Sequence, residues 1–465
     1  MELTRRSFIG GIGAFAGLGL IGGGRLFAAP SGWKRQKPPR LIVGMVADTH
    51  VRTGANGKRM DSNRPTTWFI KALEHFREIG ADAVVHLGDM AHCGQTQELV
   101  FHREAWEKVF GATSKVARIF VTGNHEICGS GDFVERFSSS PEEVARRLFR
   151  TDVAANWEKA FGEKYEPVRD ITVKGYHFVV REHLTPEADL ELFMEENAAK
   201  IAPSRSTKPV FLLSHVPPGE AHSAAMSRWK QCVGFYGHCH ASAANWNVIG
   251  CKPGEIPYVQ CPALRAMPHN VMANDKYAAK YKGFSGREAA GCNTARQGFV
   301  IRVYDDCLAI ERREFTEGGK IGEDWILPLG KYAPSPFEKA ELKKAIGEPQ
   351  FRKGAKLVVA AAPALTIKIP IADGNPDTRA YGFDVAVSGE GGAKRYRSVY
   401  ACGCNMGIGH EANGGITTVV FEAAQLPPGD ELTIAARPVT SLGSCGSAIA
   451  VKYDMKKKEV VQCIA

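Results

Sequence analysis

Five short apolar runs each stop at a residue able to bind a metal or a proton, and this repetition limits the folds open to the chain. Leu41–Ala47 is followed by Asp48-Thr49-His50, and Ala83–Leu87 by Gly88-Asp89. Val116–Val121 leads into Gly123-Asn124-His125-Glu126, Val210–Leu213 into Ser214-His215, and Cys232–Tyr236 into Gly237-His238-Cys239-His240. The runs have strand length and the continuous apolar character of strands covered on both faces. Between the first three lie segments with helical spacing. Pro65 can open a helix whose Trp68, Phe69, Ala72, Leu73, Phe76 and Ile79 fall on one face, Gly80 stops it, and Glu98–Phe110 forms the next. This β-α-β-α-β order argues for parallel strands joined by crossover helices. Further along, residues 141–200 read as mixed helical, Tyr258–Cys261 as another strand, and Gly298–Tyr304 with Leu308–Phe315 as a hairpin around Asp305-Asp306.

Loops at the C-terminal ends of strands converge in an open α/β sheet, and ligands collect there. Asp48, His50, Asp89, Asn124, His215, His238 and His240 thus make one set of oxygen and imidazole donors. Such donors suit Zn, Mn or Fe better than an ion selected by thiolates. The set exceeds the needs of one tetrahedral ion and points to two divalent ions. A lone Gly-Asp or strand-end histidine is more often structural. Here Asp48, Asp89, Asn124, His215 and His238 stand 41, 35, 91 and 23 residues apart, each after an apolar run, which separates the set from chance. Gly88, Gly123 and Gly237 each precede a donor and leave room for a tight turn.

With these residues in this order, the chain resembles the calcineurin-like metallophosphoesterase superfamily over about residues 40–315. The resemblance implies an α/β fold, a four-layer α/β/β/α sandwich. It also implies that Asp48, His50 and His240 hold one ion, that Asn124, His215 and His238 hold the other, and that Asp89 bridges them. His125 would face the substrate without binding metal, so that Asp89 and His125 form the catalytic pair. The implied activity is that of a metal-dependent phosphoric ester hydrolase, a phosphatase or phosphodiesterase. A metal-bridged hydroxide would attack a small phosphomono- or diester, with His125 assisting at the leaving group. The purple acid branch carries Asp-x-Gly in the first motif and a tyrosine three places after the bridging aspartate. His50 and His92 stand at those positions here, which argues against an iron-tyrosinate centre. His86 and His92 themselves read as residues bonded to backbone, and Ser214 lies in no serine-nucleophile motif. Arg52 and Arg59, within the basic stretch that ends at Arg64, are candidates for contacting an anionic substrate; Lys276, Lys280, Lys282 and Arg287 form a second basic stretch. The competing reading is a surface binding or adaptor protein whose metal site is structural or idle.

The ends of the chain read differently. Thr4-Arg5-Arg6-Ser7-Phe8-Ile9 precedes a weakly hydrophobic, Gly-rich run and the small residues Ala28 and Ala29. Residues 1–29 therefore resemble a twin-arginine signal peptide. They imply passage through the twin-arginine export machinery to the periplasm, the cell surface or the extracellular space. No later stretch is long and apolar enough to span a bilayer, so no integral span is expected in the mature chain. The formal charge of +9 is scattered without long Lys/Arg runs, which argues against a nucleic-acid partner. The expected layout is a signal over 1–29, a metallophosphoesterase domain over 38–326, a linker over 327–336 and a small all-β sandwich over 337–465. The last carries β-rich runs at Leu357–Ala361, Thr366–Ile371, Ile416–Phe421 and Leu432–Ala436, and no tryptophan to stack on a sugar.

Overall fold

The computed structural model describes residues 37–52, 64–92, 94–128, 153–183, 185–250, 255–265, 296–316, 319–329, 338–372, 380–401 and 415–464. The expected signal over 1–29, Arg59 and the basic stretch 276–287 lie outside these residues. In chain order the elements are β1 (Leu41–Val46), α1 (Arg64–Glu78), β2 (Ala83–Leu87), α2 (Thr96–Phe110), β3 (Ala117–Val121), α3 (Asn124–Cys128) and α4 (Ala154–Phe161). Next come β4 (Val168–Val173), β5 (Tyr176–Arg181), α5 (Glu187–Ile201), β6 (Val210–Leu213), α6 (Glu220–Met226), β7 (Cys232–Tyr236), β8 (Ile249–Gly250) and β9 (Tyr258–Gln260). The strands β10 (Gln297–Val303), β11 (Cys307–Glu314) and β12 (Trp325–Pro328) follow.

These strands make two six-stranded mixed sheets, ordered β12-β11-β10-β1-β2-β3 and β4-β5-β6-β7-β9-β8. β1, β2 and β3 run parallel, as do β5, β6, β7 and β9. Strand alternation decides which residues meet. Leu41, Val43 and Met45 of the first sheet join Phe178, Phe211 and Phe235 of the second in the central core. The opposite face of β1 and β2 presents Val46 and Val84 to Phe69, Leu73 and Phe76 of α1 and Trp106 of α2. Val179 and Leu212 face Leu190 and Met194 of α5 and Met226 of α6. The result is the four-layer α/β/β/α arrangement. Each fully buried aliphatic or aromatic side chain contributes about 1.5–3 kcal/mol to it.

Two sequence expectations need correction. Residues 168–181, expected within a mixed helical region, form the β4–β5 hairpin. Its two-residue turn is Lys174-Gly175, with φ of 51° and 74°, the left-handed pair such turns require; a lysine in the first place hides the signal. The expected linker also begins too early. Leu327 and Pro328 pair with Leu308 and Cys307 at the end of β12. Leu327 is buried, and the edge position tolerates a proline without an N–H. Residues 330–336 lie outside the described residues.

C-terminal to α7 (Lys339–Ile346) all named strands pair antiparallel. β13 (Val358–Ala361), β14 (Leu365–Ile369) and β17 (Thr417–Phe421) form one sheet. β15 (Gly382–Ser388), β16 (Lys394–Tyr400), β18 (Glu431–Val439), β19 (Ile449–Asp454) and β20 (Glu459–Ile464) form the other. Both sheets contribute to a core of their own, with Ile367 and Val419 meeting Phe383, Val385 and Ile434. Leu342, Ile346 and Leu442 extend the central core of the α/β sandwich. Ser441 reaches the loop after β7: its Oγ accepts from Trp246 N at 3.0 Å, and its carbonyl accepts from Asn247 Nδ2 at 2.6 Å. Among the described residues, no helix is long and apolar enough to cross a membrane.

Candidate metal centre

The parallel ladders continue past the strand ends and bring the donors together. Asp48 N donates to Gly88 O at 3.0 Å, His50 N to Asp89 O at 2.9 Å, and Gly237 N to His215 O at 2.9 Å. Seven non-glycine described residues have positive φ, and five are candidate donors: Asp48, His50, Asp89, His238 and His240, at 49–69°. Left-handed backbone at a non-glycine residue typically costs about 1–3 kcal/mol and concentrates at functional sites. Two glycines give the needed clearance: a Cβ on Gly88 would lie 2.6 Å from His215 Nδ1, and one on Gly123 would fall on Asp89 Oδ1.

Each aspartate has one oxygen tied to backbone and the other turned to the histidines. Asp48 Oδ2 accepts from His238 N at 3.0 Å, while the buried Oδ1 accepts no hydrogen bond and lies 3.1 Å from His240 Nε2. Asp89 Oδ1 accepts from His125 N at 2.8 Å, leaving Oδ2 3.5 Å from His50 Nε2 and 3.2 Å from His215 Nε2. His50 Nε2 and His240 Nε2 are 3.1 Å apart. On the other side of Asp89, Asn124 Oδ1 is 3.0 Å from His215 Nε2 and 2.9 Å from His238 Nδ1. Two groups of donors able to hold an ion therefore share Asp89: Asp48, His50, Asp89 and His240 in one, Asp89, His215 and His238 in the other. Carboxylate oxygens and imidazole nitrogens that converge in this way suit cations, so this donor set fits the implied metals.

Protonation supports that fit. Burial holds His50 and His238 below the ordinary imidazole range, leaving both neutral and able to donate a lone pair. Burial opposes the charged form of Asp89, but His215, His50 and His125 outweigh it and keep the carboxyl ionised. Burial also opposes a charged His215, yet Asp89 and Asp48 raise it to about 10. A cation binding there would release that proton. His215 Nδ1 faces Leu87 O at 2.7 Å, which turns Nε2 toward Asp89. His125 Nδ1 likewise donates to His92 O at 2.8 Å.

All seven donors expected from the sequence thus meet at one edge, with His125 beside them, its ring centroid 4.5 Å from that of His50. Arg52 is close as well, its Nη2 2.6 Å from His92 Nε2. His86 and His92 differ from expectation, since their rings bond side chains. His86 Nε2 is 2.5 Å from Thr49 Oγ1, and His92 Nδ1 is 3.3 Å from His50 Nδ1.

Glu126 and Arg265 are the residues sequence reasoning passed over. The buried Glu126 carboxyl accepts from Asp89 N at 2.9 Å, Ala91 N at 2.6 Å and Gly123 N at 2.5 Å, and so pins two ligand loops to each other. Burial and the Asp89 charge raise it to about 8, against the pull of those N–H groups. Its reach back to Gly123, three residues earlier, is the geometry of a capping residue, a signal visible in the sequence. Arg265 follows β9 as the donors follow the other strands, and its N–H donates to Asp48 O at 2.9 Å.

Residues 42–242 match the family model for calcineurin-like phosphoesterases. Among solved structures, a dimetal phosphatase from Danio rerio is 13% identical with a TM-score of 0.32, the match covering 61% of this chain and 99% of that one. A purple acid phosphatase from yellow lupin is 14% identical with a TM-score of 0.39, covering 62% of this chain and 53% of that one. The NAD nucleotidase of Haemophilus influenzae is 12% identical with a TM-score of 0.27, covering 62% of this chain and 49% of that one. None of the curated proteins compared with the chain matches it. Residues 42–242 thus form a calcineurin-like phosphoesterase domain by sequence.

Proposed function

We propose that the protein is an exported metal-dependent phosphoric ester hydrolase acting on small phosphate esters through two divalent ions. The observation that carries this reading is the sharing of Asp89 between two donor groups, with His125 alongside. Asp48, His50 and His240 would hold one ion, Asn124, His215 and His238 the other, and Asp89 both. Zn, Mn and Fe(II) all suit these donors. When bound, such a pair supplies Lewis-acid charge to the phosphoryl oxygens and water acidified to near neutral pH. The chain supplies the rest. Leu87 O and Glu126 fix the direction of His215 and the spacing of the loops. His125, held through Nδ1 by His92 O, keeps Nε2 for giving a proton to the departing oxygen, a contribution of about 10²–10⁴-fold. Export rests on Arg5-Arg6 and the apolar segment after them, and places the protein in the periplasm or outside the cell. The layout of signal, catalytic domain and C-terminal β domain belongs to the same proposal.

The test uses the mature protein, a chelator and metal add-back, with a panel of mono- and diesters. Hydrolysis lost on chelation and restored by a divalent metal is the expected result. Activity that survives exhaustive chelation overturns the metal-dependent reading, and intact esters after incubation with fully metallated protein favour a binding or adaptor role.

A further inference from the structure

Two arginines stand beside the donor groups, a place where holding cations alone calls for no positive charge. Arg265 sits beside the first donor group because its N–H is bonded to Asp48 O. Its guanidinium is half-buried, and among the described residues no carboxylate pairs with it. Its polar side-chain neighbour is His92, whose Nδ1 lies 3.5 Å from Nη1. Arg52 Nη2 approaches the other ring nitrogen of the same histidine, Nε2, at 2.6 Å. The His92 ring in turn stacks on His125, with centroids 5.0 Å apart and planes 25° apart. Two guanidiniums therefore flank one imidazole that leans on the candidate proton donor.

Holding the Arg265 guanidinium partly out of water is costly unless something anionic enters. Burial and the Arg52 charge both pull Arg265 below the ordinary guanidinium range, while Asp89 and Asp48 offset part of that. A guanidinium withdrawn from water, as that of Arg265 partly is, is ordinarily matched by a carboxylate or a phosphate. A third cation is the wrong occupant. His50, His92 and His125 offer nitrogens within 4.8 Å of one another, but Arg52 and Arg265 stand against the two ring nitrogens of His92 and repel positive charge. A phosphate suits it, because a guanidinium fork matches two phosphoryl oxygens at once.

Resting on the phosphoric ester reading, we infer that Arg265, with Arg52, binds the terminal phosphate of the substrate and makes the site selective for phosphomonoester dianions over diesters. A phosphomonoester carries about −1.5 to −2 near pH 7, against one charge on a diester, so each guanidinium favours the monoester. The two arginines and His92 sit beside the donors rather than among them.

The test compares the full mature chain with its Arg265→Gln and Arg265→Lys variants, all reconstituted with zinc. Inorganic phosphate is the binding probe, followed by calorimetry, next to kcat/KM for p-nitrophenyl phosphate and bis(p-nitrophenyl) phosphate. Arg265→Gln is expected to weaken phosphate binding on the order of ten- to a hundredfold, with Arg265→Lys in between and metal content unchanged. Monoester kcat/KM should fall at least about tenfold further than diester kcat/KM. Phosphate binding indifferent to Arg265, or an equal fall for both esters, overturns the inference. Phosphate held through Arg265 by a protein that hydrolyses neither ester would instead overturn the hydrolase reading and leave the phosphate site standing.

Discussion

His125 and Glu126 are neighbours with opposite duties, and substitutions separate them. His125 touches the centre through its backbone N–H on Asp89, which any residue supplies, so His125→Ala removes only the imidazole. Its expected effect is a fall in turnover of about 10²–10⁴-fold with both metals retained, checked by steady-state kinetics alongside metal analysis. Glu126→Gln keeps the shape but turns an amide NH₂ toward backbone N–H groups of Asp89, Gly123 or Ala91. A loss of about 1–3 kcal/mol in stability is expected, together with weaker metal binding, measured by denaturant unfolding and metal titration. Nearly all the donors are legible in the sequence because each ends an apolar run, a pattern local to the chain. For Glu126 only the local cap on Gly123 is legible, since its other partners, Asp89 and Ala91, come from a loop 35 or more residues away. Arg265 obeys the same strand-end rule as the donors, but a lone arginine after Cys261 and Pro262 resembles any solvated loop cation until Asp48 is seen beside it.

At the scale of elements, buried charge ties β10 to β11. Glu311 accepts from Arg302 Nη1 and from Arg313 Nη1, both at 2.8 Å. Burial raises its carboxyl, but the two guanidiniums outweigh burial and hold it below the ordinary value. A lowered folded pKa adds stability above the unfolded value of about 4.3, and that stability disappears as pH falls through the folded value. Glu311→Gln is expected to lower stability at neutral pH and to flatten the acid side of the stability profile, as denaturant melts between about pH 3 and 7 would show. Most parallel strands are easily read, because burial on both faces makes them continuous apolar runs; β5, parallel to β6, is the exception and reads as part of a helical region. β4 and β16 escaped notice for the opposite reason: Val168–Val173 is only part-buried, and Lys394–Tyr400 begins with charged, exposed residues.

For the whole molecule, the C-terminal sheets and the α/β sandwich share structure at the loop that follows the last two donors. Ser441 holds Trp246 and Asn247, six and seven residues after His240, while Leu442 joins the central core. Apolar and turn patterning announces the second β-rich unit; the contact with the loop after β7 is a long-range pairing that no local pattern encodes. The export proposal also belongs to this scale. Arg5→Lys combined with Arg6→Lys is expected to leave the folded precursor in the cytoplasm, whereas the unaltered chain appears in the exported fraction after cell fractionation.

A shared carboxylate between two cations makes a stoichiometric demand. Metal analysis of the native protein and of its Asp89→Asn variant, after equal metal loading and desalting, reads it directly. About two divalent ions per unaltered chain are expected, with clear loss from the variant. A protein that retains no ion, or an Asp89→Asn variant that keeps the full complement, would contradict the centre built here.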